Sequence, residues 1–136
     1  MRRGTFLVLS LVIFCLTGLP DTLLAESPTV RVAGIVLKWI RGDQQTNFRR
    51  IEPMIRQAAG GGARIVVTTE CFLDGYAIAD KSIPLEVYRD LGEPIPSGQY
   101  YRRLAALAKQ MKIHLEAGLM EADGEKRYNT AVLIGP

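Results

Sequence analysis

Histidine and cysteine are scarce in this sequence: His114 is the single histidine, and the cysteines are Cys15 and Cys71. So few ligands exclude a zinc centre assembled from Cys and His. If Cys15 belongs to a removable leader, Cys71 is left without a partner and no internal disulfide supports the fold. Aromatic residues make up only 7% of the chain, and the formal charge is +3 with the basic residues scattered. Without a basic stripe interleaved with aromatics there is no footprint for nucleic acid. The one extended apolar run, from Phe6 to Leu19, is too short to span a bilayer comfortably as a permanent helix. Internal repeats and low-complexity segments are absent.

What is present begins with a leader. Met1-Arg2-Arg3, the apolar run, Pro20 and the small residue Ala25 follow the layout of a secretory signal peptide. The run has no polar face, so a buried core helix does not explain it. Residues 1–25 are therefore expected to be a signal peptide cleaved after Ala25, exporting the protein to the periplasm or the cell exterior. An uncleaved anchor is the alternative, and the membrane is a partner only through this segment. Removal of Arg2, Arg3 and Asp21 leaves 15 basic and 13 acidic residues, a net charge of +2. With 48% hydrophobic and 23% charged residues, residues 26–136 suit one globular domain.

Along that domain, Val30 to Leu37 is β-branched and increasingly apolar, as a central strand would be. Asp43 can cap a helix whose apolar positions are Phe48, Ile51, Ile55, Ala58 and Ala59. Pro53 lacks an N–H and crowds the preceding turn, which predicts a kink or a helix starting near Glu52. Gly60 to Gly62 ends the helix. The strand Arg64 to Thr68 completes a right-handed parallel crossover. Phe72 to Ser97 is irregular and proline-punctuated, with one short helix from Leu85 to Asp90. Segments of this kind line or cover a site, or else form a surface excursion. Ser97 is placed to cap a second helix with Leu104, Leu107, Ala108 and Met111 on its apolar face. Ile113, Leu115, Ala117 and Leu119 then alternate at strand period, Asp123-Gly124 is a hairpin turn, and Lys126 to Ile134 returns antiparallel.

The stretch from Gly60 to Tyr76 says most about chemistry. Ile65 to Val67 has no polar alternation, which suits a strand buried on both faces. Glu70 therefore falls at the C-terminal end of a strand, the edge where open α/β folds place their ligands. A carboxylate there is a candidate general base; a solvated loop acid or a partner for an arginine is the plainer alternative. The Glu-x-Phe-Leu-x-Gly-Tyr core of Gly62 to Tyr76 resembles the first catalytic motif of the nitrilase, or carbon-nitrogen hydrolase, superfamily, in which the glutamate is the general base. Asp43 and Asn47, Pro94 to Gly98, and Tyr128-Asn129-Thr130-Ala131 occur in the order that family shows. One departure is that Thr69 stands where the family usually has proline, removing one source of rigidity beside Glu70.

The resemblance implies an α/β fold: the N-terminal half of a four-layer αββα sandwich, with a mixed sheet containing a parallel crossover and a hairpin. It also implies hydrolysis of a non-peptide carbon-nitrogen bond in an amide, carbamoyl amine or nitrile, by a glutamate, a lysine and a cysteine. No cofactor or metal is implied, and dimers or larger homo-oligomers are. Glu70 is the only member of the triad with a counterpart here, since the family's lysine and cysteine come after the hairpin and Pro136 ends the chain. The complete sandwich needs roughly twice this length, so one sheet face and one edge are expected to be uncovered, and the piece alone is expected to be inactive.

Cys71 adjoins Glu70, and neighbours in extended chain project to opposite sides, so its thiol is expected to point away as a buried structural group. Lys81, Lys109, Lys112 and Lys126 read as solvated charges. His114 and Glu116 share the polar side of a strand, where alternation alone accounts for them. Tyr76 and Asn129 are the candidate substrate-pocket residues, with Gly75 shaping the loop. Two other readings remain open: a metal-dependent phosphoesterase of similar four-layer architecture with Glu70 on Mg²⁺, and a non-catalytic half-fold whose open sheet face is covered by a partner.

Overall fold

A computed structural model describes residues 28–136; the signal segment expected over residues 1–25 lies outside them. Four strands form one sheet in sequence order: β1 (Val32–Gly34), β2 (Ile65–Val67), β3 (His114–Asp123) and β4 (Lys126–Ile134). β1 and β3 both pair parallel to β2, and β3 pairs antiparallel to β4. The expected parallel crossover and terminal hairpin are both present. Helices α1 (Gln44–Gly60) and α3 (Gln99–Met111) contact the sheet and each other, and α2 (Leu85–Asp90) sits in the irregular segment between them. Among the described residues no helix is long and apolar enough to cross a membrane.

The core lies between these helices and one face of the sheet. Phe48, Ile51 and Ile55 of α1 and Leu104, Leu107 and Ala108 of α3 pack with Ile35, Val66, Leu115, Ala117 and Leu119. Each large side chain buried here contributes about 1.5–3 kcal/mol relative to exposure. The described residues leave the opposite face uncovered, as the resemblance implied. Val32 is 56%, Val36 84% and Leu133 66% exposed, and the register puts Val32 beside Ile65 and Leu133 beside Glu116.

This open face corrects the reading of two strands. Val30 to Leu37 was expected to be a central strand; β1 is three residues long and occupies the edge of the sheet. Beyond it, Ile35 and Leu37 are buried while Val36 is exposed, the alternation of a strand covered on one side. Ile65 and Val67 are likewise only partly buried, because nothing among the described residues covers the second face.

Two helix expectations are also corrected. α1 runs from Gln44 through Pro53 to Gly60, so its regular part starts well before Glu52. Pro53 and Arg49 are both exposed, so the missing N–H falls on the solvent side of the helix, where its loss costs least. Asp43 does cap α1, its carboxylate accepting the Thr46 N–H at 2.9 Å. Ser97 does not cap α3: the cap residue is Gly98, which has no side chain to offer. The donor at Tyr101 is taken instead by the buried carboxylate of Glu93, at 2.9 Å. A Cβ at position 98 would lie 2.0 Å from Glu93 Oε1, so any larger residue there would have to displace this carboxylate.

Candidate active site

β2 ends at Val67, and the chain then turns sharply toward the carboxyl end of the sheet. Thr68 is buried; its hydroxyl accepts the Gly118 N–H at 3.1 Å and donates to the Thr69 carbonyl at 3.2 Å. Cys71, Gly75 and Tyr76 all have left-handed backbone, with φ of 46°, 66° and 54°, which winds residues 70–76 into a compact loop. This loop docks on the first strand-to-helix connection. The Gly42 N–H donates to the Asp74 carbonyl at 2.8 Å, and a Cβ at Gly75 would lie 2.5 Å from the Ile40 carbonyl oxygen.

Asn47 ties the two segments together from the inside. It is fully buried, accepts the Ile40 N–H at 2.7 Å, and donates to the carbonyls of Ile40 at 2.7 Å and Leu73 at 2.9 Å. Together with Thr68, these contacts hold the loop without the proline that the family pattern places before the glutamate.

Glu70 is exposed at the start of this loop, and the two pocket residues expected from the sequence stand beside it. Asn129, on β4 opposite Met120, donates its side-chain N–H to Glu70 Oε1. Hydrogen bonds from Tyr76 and Asn129, in that order of effect, hold the Glu70 carboxyl below its ordinary range. The carboxylate is therefore ionised at neutral pH. Two donors do not exhaust its acceptor sites, so it remains able to take a further proton. The same contact pushes the Tyr76 phenol up to about 12, chiefly because the hydroxyl proton is held by Glu70.

Cys71 corrects one expectation and bears out another. Its thiol does not turn away from Glu70: Sγ donates at 3.5 Å to Asn129 Oδ1, on the amide that also holds Glu70. Opposite projection requires extended backbone, and Cys71 is left-handed. The thiol is nonetheless a buried structural group. Burial first, then the charges of Asp74 and Glu70, push it up to about 12, far from thiolate character at neutral pH.

The other candidates lie elsewhere. His114 pairs with Ile65, at the end of β2 remote from Glu70, and Lys81, Lys109, Lys112 and Lys126 are exposed. Among the described residues no group of three or more His, Cys, Asp or Glu could hold a metal. Glu70 has an amide and a phenol for neighbours.

Sequence reasoning missed Gly118 and understated Asn47. A Cβ at Gly118 would lie 2.8 Å from Glu70 Cα, 3.0 Å from the Thr69 oxygen and 3.2 Å from the Cys71 nitrogen, so the missing side chain is what lets the Glu70 turn settle on β3. The available signal was a glycine inside an otherwise regular strand, a mark of close backbone approach.

Residues 30–136 match the family model for carbon-nitrogen hydrolases. The chain is similar to a nitrilase of Pyrococcus abyssi, 33% identical over 90 residues, covering 66% of this chain and 33% of the relative. It is 35% identical over 91 residues to the omega-amidase NIT2 of Danio rerio, covering 66% and 30%. The bifunctional nitrilase/nitrile hydratase NIT4A of Lupinus angustifolius is 31% identical over 122 residues, covering 81% and 35%. The chain thus spans about a third of the length of the curated relatives it matches. Among solved structures, an amidase from Nesterenkonia sp. superposes with a TM-score of 0.58 at 24% identity, covering 78% of this chain and 38% of that one; this likeness supports the fold. The match over residues 30–136 takes in every strand and helix described above, and the chain belongs to the carbon-nitrogen hydrolase family.

Proposed function

We propose that the protein hydrolyses a non-peptide carbon-nitrogen bond, in an amide, carbamoyl amine or nitrile, and that Glu70 is its general base. The observation that carries this reading is the Glu70 carboxylate at a strand end, held by the Asn129 amide with Tyr76 beside it. In the family's scheme Glu70 takes the proton of a cysteine thiol, and the sulfur attacks the substrate carbon. For an amide, the carbon-nitrogen bond then breaks, and the proton held by Glu70 leaves with the nitrogen as ammonia or an amine. Glu70 next takes a proton from water as its oxygen attacks the thioester, and the acid and the free thiol are released. A lysine stabilises the oxyanion in both halves. Lysine and cysteine are supplied outside the site described here, because Cys71 is buried with a thiol pushed up to about 12. We further propose that the protein is exported through residues 1–25 and acts as a homo-oligomer on a small-molecule substrate.

The test is ammonia release from simple amides by the full-length protein and its Glu70→Gln variant. Gln keeps the size and an acceptor oxygen but cannot take the proton. Turnover should fall by about 10²–10⁴-fold with the fold unchanged by circular dichroism. A variant within about tenfold of the parent would overturn the role of Glu70. Residues 1–136 alone should show no turnover.

A further inference from the structure

Basic residues that are scattered along the chain gather at one end of the sheet. β1, β2 and β3 start side by side, since the register sets Val32 beside Ile65 and Ile65 beside His114. Just before those positions the Arg64 N–H donates to the Arg31 carbonyl at 2.9 Å, and the His114 N–H donates to the Arg64 carbonyl at 2.9 Å. Arg31 and Arg64 are therefore neighbours across the sheet. α3 brings two more cations to this end: Lys109 lies in its last turn and Lys112 caps it, ahead of β3. α1 ends here too, where the Arg31 guanidinium donates to the Gly61 carbonyl.

Arg31, Arg64, Lys109 and Lys112 are all exposed, and none of them takes part in a salt bridge among the described residues. Along the strands the acid nearest to them is the half-buried Glu116 of β3. The acids collect at the other end of the sheet. Glu70 and Asp74 follow β2, Glu93 is bridged to Glu121, and Asp123 and Glu125 form the tip of the hairpin. The fold is thus polarised, basic where the strands begin and acidic where they end. Like charges gathered without counter-ions create a field that attracts an anionic surface.

The sequence indicates which surface. The segment before Pro28 joins the domain at the basic end, just ahead of Arg31, and it contains the apolar run Phe6 to Leu19. That run is short for a permanent span, and marginal apolar attachment becomes stable when a basic patch engages anionic headgroups as a second signal. We propose that the amino ends of β1, β2 and β3 dock on an anionic lipid bilayer, with Arg31, Arg64, Lys109 and Lys112 on the headgroup phosphates and the Glu70 end of the sheet turned toward water. The choice of a membrane over other polyanions rests on the apolar run, and the proposal is independent of turnover.

The full chain is mixed with vesicles of phosphatidylcholine alone, or of phosphatidylcholine with about a third phosphatidylglycerol, and the bound fraction is read by sedimentation. Binding should be tighter on the anionic vesicles, and the advantage should fade as salt shortens the Debye length. Arg64→Gln, Lys109→Gln and Lys112→Gln combined should weaken anionic binding on the order of 100-fold, about fivefold per charge. Lys38→Gln, Lys81→Gln and Lys126→Gln remove the same charge from the opposite end and should stay within about threefold of the parent. No preference for anionic vesicles, equal losses in the two triple variants, or full binding in the first would each overturn the proposal; the vesicle comparison does so without relying on a variant. Tighter binding to a polynucleotide than to anionic vesicles at equal phosphate would also overturn it, by assigning the basic end to nucleic acid.

Discussion

Replacing Asn47 by alanine should loosen the loop that presents Glu70 without touching Glu70 itself. The side chain is 0% exposed and makes three hydrogen bonds, one from the Ile40 N–H and two to the carbonyls of Ile40 and Leu73. At about 0.5–1.5 kcal/mol each, three such bonds bound the loss at roughly 1.5–4.5 kcal/mol. The groups left behind narrow that range. Ile40 is 41% exposed, so water can replace its partners, whereas Leu73 is 1% exposed and its carbonyl is stranded. The expected loss is about 2–4 kcal/mol, read as a fall in the urea midpoint at unchanged slope. Asn47→Asp sharpens the test, because it keeps the acceptor for Ile40 and sets a carboxylate oxygen against two carbonyls. At pH 7 it should be at least as unstable as the alanine variant. Its folded-state pKa would be raised by those carbonyls, so its stability should recover as pH falls through that value and protonation restores one donor. A loss below about 0.5 kcal/mol in Asn47→Ala, well under the worth expected of three buried bonds, or an Asn47→Asp protein as stable as the parent at pH 7, would refute the cross-tie.

Tyr76→Phe removes the phenol that does most to lower Glu70. The base works when ionised, so its acid limb should move to higher pH in this variant; an unmoved limb would separate Tyr76 from the base. Gly118→Ala places a Cβ against backbone of Glu70, Thr69 and Cys71, which cannot rotate away. It should cost about 1–3 kcal/mol in urea unfolding and lower turnover, and a variant matching the parent in both would show that the loop is free to shift. Cys71, with its thiol near 12, should resist iodoacetamide at pH 8 in the native protein and react once unfolded, as followed by intact mass; native labelling at the rate of a free thiol would contradict its burial.

Much of this was legible in the sequence because it rests on local signals. The strand period of Leu115, Ala117 and Leu119 and the turn at Gly124 place the hairpin, and Gly60 to Gly62 stops α1 where the structure does. The place of Glu70 after a short strand was legible from the apolar run before it, and Tyr76 and Asn129 were singled out by the resemblance to the family's motifs; the structure sets both beside Glu70. The failures are tertiary. Nothing local says that β1 lies at an edge, or that Glu93 folds back from the approach to α3 to take over from Ser97. Nor does the sequence announce that a cysteine adopts left-handed backbone, and that one dihedral reverses the direction of the Cys71 thiol.

Glu70 and Asn129 are 59 residues apart, and that separation sets an order of events as the chain folds. β3 and β4 are joined by the short turn at Gly124, so their loop closes early and at little entropic cost. Pairing of β1 with β2 has to wait until α1 is enclosed between them, and the Glu70 turn can settle only when Asn47 and Gly118 have both arrived. The contact between carboxylate and amide is therefore expected to form late, after the local hairpin. An opening of the hairpin, the crossover or the first loop would break it first, so the Asn129 side-chain resonance should serve as a gauge of whether the whole sheet is assembled.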